Sequence, residues 1–195
     1  MNSEFASYTD ANLFEYAKQL YDQDQLGRSF SAYSELARRG YGGCYVFLGW
    51  MCYEGKGTVQ NELTALEWFK KAADVGSAQG RYYSAHLLEK MGKRDESLSY
   101  LRAAASQNYG PALCRLGRML LEGRNVPVDA PRALRLLAYS ASLGNVFAKR
   151  ELARVQMKES SSPIRWTQGL LKLIWAVVEG VLISLTNPRS ERIQT

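Results

Sequence analysis

Apolar residues in the segment 62–75 recur at the spacing of one face of a helix. Asn61 precedes this segment, and an Asn side chain in that position caps a helix by accepting a backbone N–H. An apolar segment before it, 48–57, closes with Gly55 and Gly57, which tolerate the positive φ of a helix C-terminus. The pattern predicts two consecutive helices joined by a glycine-containing loop. The predicted buried face of the second helix consists of Ala65, Trp68, Phe69, Ala72 and Ala73.

This helix pair recurs along the chain. Related segments begin at Gly40, Gly76, Asn108 and Gly144, which lie 36, 32 and 36 residues apart. A fainter first copy aligns Ala17 with Ala85. One such pair cannot bury its apolar face alone, so the recurrence predicts stacked helix pairs with a continuous core.

The two later copies differ in the connection between their helices. In the copy from 117 to 144, Gly123 is expected to end the first helix and Asp129 to cap the second. The copy before it turns at 92–95 and omits the longer loop. The apolar face expected for the second helix of the later copy consists of Ala133, Leu136, Leu137 and Ala141.

The copy from Leu48 to Gly76 resembles the Sel1-like repeat, a relative of the tetratricopeptide repeat. The resemblance rests on Leu48-Gly49, Gly55-Lys56-Gly57, Ala65, Trp68, Ala72-Ala73 and Gly76. It implies an all-α fold: a right-handed α-solenoid of about four Sel1-like helix pairs, here followed by a hydrophobic C-terminal helix. It also implies a non-enzymatic adaptor or scaffold in protein complexes, with no catalytic residue and no cofactor.

Pattern and composition divide the chain into five segments. A short N-terminal extension, 1–10, precedes the repeat region, 11–157. A polar linker, 158–163, leads to a hydrophobic helix, 164–185, and a polar tail, 186–195. The repeat region is therefore the predicted functional domain.

The resemblance implies that the first helix of each pair lines a concave groove for a protein or peptide partner. Positions one and four residues after the glycine of the Leu-Gly pair, and three residues before it, would face that groove. Aromatic and Arg side chains are common anchors at such surfaces, although several of these aromatics could instead pack between repeats. The groove candidates are Lys18, Tyr21, Val46, Trp50, Tyr53, Tyr82, His86, Glu89, Arg118 and Leu121.

Candidate chemistry is sparse. The three cysteines contain no C-x-x-C pair, which predicts neither a disulfide framework nor a zinc site and fits a reducing compartment. His86 is the single histidine, and no nucleophile or second metal ligand stands at a usable spacing from it. The sequence therefore predicts no enzyme and no metal site.

The net charge of +6 is concentrated in one block. Residues 112–165 carry 10 basic and 4 acidic side chains, whereas residues 1–111 carry 12 basic and 13 acidic ones. No base-reading motif accompanies the block, which argues against nucleic acid and leaves an anionic membrane surface as an expected contact.

The segment 164–185 would extend about 33 Å as a helix, enough to span a bilayer core. Lys172 and Glu179 oppose insertion, because each costs up to about 3 kcal/mol at the membrane centre. Both lie in a narrow polar stripe, which leaves three arrangements: a spanning helix, an interfacial helix, or a cap packed on the repeats. The candidate contacts with a membrane or a partner helix are Trp166, Lys172, Trp175 and Glu179.

Flanking charge favours the spanning arrangement. More Lys and Arg side chains precede the segment than follow it, which under the positive-inside rule keeps the repeats cytoplasmic. The leading hypothesis is an adaptor tethered to the cytoplasmic face of a membrane. The alternative is a soluble cytoplasmic regulatory subunit whose C-terminal helix caps the solenoid or mediates oligomerisation.

Overall fold

The computed structural model describes residues 3–159 and 163–186. The middle of the expected linker, 160–162, and most of the expected tail, 187–195, lie outside the described residues, as do Met1 and Asn2. Within the described part, the secondary structure is helical throughout and contains no strand. This confirms the predicted all-α class.

The helices follow one another with short connections. Two single turns of 3-10 helix, Ser3–Phe5 and Gly42–Cys44, precede α1 and α3. The α-helices are α1 (Asp10–Asp22), α2 (Leu26–Arg38), α3 (Tyr45–Glu54), α4 (Glu62–Asp74), α5 (Ala78–Lys90), α6 (Arg94–Ser106), α7 (Gly110–Glu122), α8 (Ala130–Ser142), α9 (Val146–Glu159) and α10 (Pro163–Thr186).

The chain forms two compact units, 1–100 and 101–195, and the boundary falls within α6. The first unit has a continuous core in which α1 packs on α2 and α3 on α4. Its largest fully buried side chains include Phe5, Leu13, Leu20, Tyr33, Leu36, Leu48, Met51 and Phe69. In the second unit, Leu137 and Ala148 are fully buried beside Cys114, where α7, α8 and α9 pack together.

The predicted capping residues act as expected. The Asn61 side chain accepts hydrogen bonds from the backbone N–H groups of Leu63 and Thr64, both at 3.0 Å. Asp129 accepts from the backbone N–H of Arg132 at 3.0 Å. Side-chain caps therefore fix the starts of α4 and α8.

The same kind of buried contact occurs within each of the two helix pairs that have a short connection, α1–α2 and α5–α6. The Ser29 hydroxyl on α2 donates to the Ala17 carbonyl oxygen on α1 at 2.8 Å. The Ser97 hydroxyl on α6 donates to the Ala85 carbonyl oxygen on α5 at 2.6 Å. The two contacts occupy equivalent places when Ala17 is aligned with Ala85, which agrees with the fainter first copy in the sequence.

The apolar face of α4 departs from expectation at one position. Ala65, Phe69 and Ala72 are buried as predicted, and Leu66 joins them. Trp68 is only half-buried, and its ring stacks on the likewise half-buried Tyr45 at 5.8 Å between centroids. This tryptophan therefore covers the edge of the core and does not fill it.

The C-terminal helix α10 packs on α9 in the antiparallel sense. Lys149 of α9 lies beside Glu179 of α10, while Gln156 lies beside Lys172. The helices approach closely at Gly169, where an added Cβ would come within 2.5 Å of the Met157 Cγ. Lys172 and Glu179 of the polar stripe thus each make a polar contact with α9.

No helix within residues 3–159 and 163–186 combines the length and the apolar character that crossing a membrane requires.

Candidate functional site

The aromatic candidates of α3 form the centre of a surface on the first unit. The Trp50 and Tyr53 rings meet edge to face, with centroids 5.6 Å apart, and both side chains are half-buried. On its inner side Trp50 packs on Tyr83 of α5, at 4.8 Å, and on Phe69 of α4, at 6.2 Å. Packing from two other helices therefore fixes the orientation of the Trp50 ring.

Two lysines contact aromatic rings of the same unit. The Lys56 ammonium donates to the Tyr21 hydroxyl at 3.0 Å and lies 5.5 Å from the centre of that ring. The Lys90 ammonium lies 5.8 Å from the centre of the Tyr53 ring, within the range of a cation–π interaction. We call Tyr21, Trp50, Tyr53, Lys56 and Lys90 the aromatic–lysine surface.

Both lysines also have acidic neighbours, since Lys56 pairs with Glu54 and Lys90 with Glu62. The positive charges are thus balanced within the first unit. The surface offers flat rings and alkyl stems more than net charge, which suits a protein partner that contributes apolar side chains.

Local backbone geometry sets the position of Lys56. Gly55 and Gly57 both have φ of +72°, a left-handed conformation that favours glycine. An added Cβ at Gly57 would lie 2.2 Å from the Leu26 carbonyl oxygen, so the loop packs directly on the start of α2. The Gly-Lys-Gly sequence therefore places one lysine between α3 and α1.

The indole N–H of Trp50 is buried and has no hydrogen-bond acceptor among the residues that the structure describes. Leaving a buried donor unpaired costs on the order of 1–3 kcal/mol. Ring packing, and not an internal hydrogen bond, therefore positions the Trp50 side chain. The Trp50 side chain as a whole is half-buried, so part of its ring is open to solvent.

Other predicted groove residues of the first unit occupy varied environments. Lys18 pairs with Glu15 on its own helix at 3.1 Å. Tyr82 is buried, since it packs edge to face on Tyr83 with centroids 5.4 Å apart. Val46, His86 and Glu89 are half-buried.

The last two candidates, Arg118 and Leu121, lie on α7 in the second unit and are half-buried. Sequence reasoning thus identified three members of the aromatic–lysine surface, Tyr21, Trp50 and Tyr53. It missed Lys56, Lys90 and the supporting Tyr83. Alignment to fixed positions of the first helix in each pair selects residues on those helices only. It could not find Lys56, which lies in the loop after α3.

The cysteine thiols are buried and have raised pKa values. Burial raises the pKa of Cys44 to about 12 and that of Cys114 to about 11. Burial also raises the pKa of Cys52. A thiol that stays protonated at neutral pH is a poor nucleophile, so these groups pack as small apolar side chains.

Within residues 3–159 and 163–186, no group of three or more His, Cys, Asp and Glu side chains is arranged to hold a metal ion.

The second unit contains a small cavity of about 200 Å³ between α7 and the loop that leads to α8. Leu116, Leu120 and Val126 supply apolar walls, and Arg102 and Arg132 also line the cavity. Pro127 and Asp129 complete the lining. Its volume is below the range of about 300–1,000 Å³ that is usual for small-molecule sites.

The four candidate contacts on α10 separate into different environments. Lys172 and Glu179 contact α9, at 3.1 Å to Gln156 and 2.7 Å to Lys149. Trp175, which lies between these two residues along the helix, is 71% exposed. The Trp166 side chain lies outside the described residues.

Comparison with known families identifies the recurring unit. The model of the Sel1 repeat matches residues 43–77 and 110–145. These two segments are Sel1 repeats. They coincide with the copies that contain the longer glycine loop, and the resemblance seen in the sequence is thereby confirmed.

Solved structures with the same fold cover most of the chain. A Sel1 repeat protein from Oxalobacter formigenes is 19% identical, with a TM-score of 0.74 over 89% of this chain and 75% of that one. A protective antigen of uropathogenic Escherichia coli strains, which displays an SLR fold, is 18% identical with a TM-score of 0.75. That match covers 88% of this chain, which spans 38% of the antigen.

No curated protein matches the chain. The structural likenesses establish an all-helical, solenoid-like fold of the Sel1 type. Proteins with this repeat generally mediate protein–protein interactions and are typically non-enzymatic.

Proposed function

We propose that this protein is a non-enzymatic adaptor that binds a segment of another protein on the aromatic–lysine surface of its first unit. The observation that carries the proposal is the half-exposed pair of Trp50 and Tyr53, which α4 and α5 hold in place from behind. Rigid aromatic side chains lose little conformational entropy when a partner covers them. They are accordingly enriched at the centres of protein interfaces.

The partner that fits is a peptide segment with at least one apolar or aromatic side chain. Such a side chain would stack against Trp50 or Tyr53, while the alkyl stem of Lys90 would cover one edge. The lysines have acidic partners already, so binding is expected to depend weakly on salt. Weak salt dependence distinguishes this mode from capture of an acidic tail.

For α10 the proposal follows the alternative hypothesis. In that hypothesis the protein is a regulatory subunit, and its C-terminal helix packs on its own repeat region. Antiparallel packing on α9 and the ion pair between Lys149 and Glu179 support this role. The tail anchor is not carried into the proposal, because the two charges expected to meet a partner helix contact α9.

The test begins with a displayed library of random peptides, from which peptides that bind the full chain are selected. The affinity of a selected peptide is then measured by calorimetry for Tyr53→Ala and Trp50→Phe. We expect Tyr53→Ala to weaken binding at least about tenfold, because truncating a central aromatic anchor costs about 2 kcal/mol or more and about 1.4 kcal/mol already corresponds to tenfold. Trp50→Ala is avoided, since truncating a ring packed on Phe69 and Tyr83 would destabilise the fold by about 3–5 kcal/mol.

The matched control is Val59→Ala, which removes an 85% exposed apolar side chain from the loop between α3 and α4. This variant should bind the selected peptides as the parent does. Equal affinities for the parent and Tyr53→Ala, with both proteins folded by circular dichroism, would refute the proposed binding surface.

A further inference from the structure

The outward side of α10 is an apolar face without charge. Trp175 and Leu171 are 71% and 66% exposed, and the other apolar residues of this face are 43–55% exposed. The charged residues in the part of α10 whose side chains are described, Lys172 and Glu179, contact α9 and lie off this face. The outward face of α10, as we use the term, consists of Leu171, Ile174, Trp175, Val177, Val178, Val181 and Leu182.

We propose that this outward face is a homodimerisation surface on which a second copy of the chain packs its own α10. This inference goes beyond the proposed adaptor role and does not depend on the aromatic–lysine surface. It rests on the spacing, the size and the charge of the face.

The spacing of the face is that of a helix–helix seam. Leu171, Ile174, Val178 and Val181 follow one another at intervals of three, four and three residues. This is the alternation with which two helices interdigitate side chains as knobs into holes. β-branched residues at three of these four positions limit rotamer freedom and favour a defined packing.

The area of the face is close to what self-association requires. Its seven side chains expose on the order of 450 Å² of apolar surface, from their open fractions and the usual sizes of aliphatic and aromatic side chains. That value falls in the range of about 300–600 Å² that is typical of the largest patch on a monomer, which is often functional. Two such faces with their flanking residues would reach the lower end of specific interfaces, about 1,200 Å² in total.

Charge favours a second copy over an anionic lipid surface. A helix that lies in a membrane interface usually carries Lys and Arg along its polar face, free to reach lipid headgroups. Lys172 and Glu179 cancel in charge, and each makes a polar contact with α9. A two-fold axis, in contrast, pairs an uncharged face with itself without repulsion.

The first test is sedimentation equilibrium of the full chain without detergent, from low to high micromolar concentration. We expect a reversible monomer–dimer equilibrium. Leu171→Glu combined with Val178→Glu should weaken dimerisation by more than about tenfold, because four carboxylates would then be buried in one seam. Both side chains are exposed in the monomer, so circular dichroism and the melting temperature should stay close to those of the parent.

The matched control is Val128→Glu, which places the same charge on a 67% exposed apolar residue of the same unit, outside α10. This variant should dimerise as the parent does. A parent that is monomeric at every concentration, or a dimer that survives the α10 substitutions, would overturn the proposal.

A charge-complementation experiment shows whether the two α10 helices meet directly. One chain carries Ile174→Glu with Val178→Glu, and the other carries Ile174→Lys with Val178→Lys. Each is expected to be monomeric alone, and their mixture to form a heterodimer. Failure of the mixture to associate, or binding of the parent to phosphatidylcholine–phosphatidylserine vesicles as a monomer, would reject self-association.

Discussion

At the residue scale, Glu35 and Arg39 hold the N-terminal segment onto the first unit. The Arg39 guanidinium donates to the carbonyl oxygens of Phe5 and Tyr8, both at 2.8 Å. Glu35 accepts from Arg39 at 2.9 Å and from Arg38 at 2.7 Å. The network ties the backbone before α1 to the end of α2, and it keeps Phe5 in the core.

The same network predicts a specific dependence of stability on pH. Hydrogen bonds from Arg38 and Arg39 lower the pKa of Glu35 to about 2. A carboxyl group with a lowered folded-state pKa stabilises the fold fully above its unfolded pKa of about 4.3, and this contribution disappears as pH falls towards 2. Glu35→Gln should therefore lower the free energy of unfolding at pH 7, and the deficit should shrink below pH 4.3 or so.

Urea denaturation at a series of pH values measures this difference. Glu67→Gln, a change at an exposed carboxylate of α4, is the control and should show no comparable trend. A deficit for Glu35→Gln that is the same at pH 3 as at pH 7 would mean that the network does not stabilise the fold through the charge of Glu35.

At the element scale, close helix packing requires small residues at defined positions. An added Cβ at Gly80 of α5 would lie 2.6 Å from the Ala72 Cβ and 2.8 Å from the Ala73 nitrogen on α4. An added Cβ at Gly27 of α2 would meet no atom within 4 Å. Replacing glycine by alanine should therefore destabilise the fold at Gly80 and should not destabilise it at Gly27.

We expect Gly80→Ala to destabilise the protein by about 1–3 kcal/mol, because backbone atoms of α4 must move to relieve the overlap. Gly27→Ala should be neutral or stabilising by up to about 1 kcal/mol, since alanine favours the helix and restricts the unfolded chain. Chemical denaturation of the two variants checks the prediction. Similar destabilisation by both would show that glycine is not required for the packing of α5 on α4.

Sequence periodicity predicted where most of the helices lie in the sequence. It did not predict which side of each helix contacts the rest of the chain. The loop glycines and the caps Asn61 and Asp129 could be read from the sequence, because each satisfies a local backbone requirement. The orientation of α10 could not be read from the sequence. A narrow polar stripe on an apolar helix serves equally to face a partner helix in a membrane or to face α9, and only the packing partner decides between them.

Helical geometry explains why alignment to the repeat did not select the residue that packs behind Trp50. Tyr82 and Tyr83 are adjacent in sequence but point about 100° apart on α5. The structure packs Tyr83 against Trp50, whereas alignment to the repeat had selected Tyr82. An uncertainty of one position in the register is enough to exchange a supporting residue for its neighbour.

At the scale of the whole molecule, each of the two compact units has its own proposed contact surface. The first unit carries the aromatic–lysine surface, and the second carries the outward face of α10. If both proposals hold, a dimer would present two copies of the peptide-binding surface. Two linked sites raise the apparent affinity for a partner that contains two matching segments.

The measurement that tests the central claim most directly is the response of the tryptophan indole N–H signals in a nitrogen–proton correlation spectrum. The chain has four tryptophans, and Trp50→Phe assigns the signal of interest. Titration with a selected peptide should shift or broaden the Trp50 signal in proportion to binding, whereas the Trp175 signal should remain unchanged. A Trp50 signal that stays fixed while calorimetry shows saturation would contradict the account, because the peptide would then bind elsewhere on the molecule.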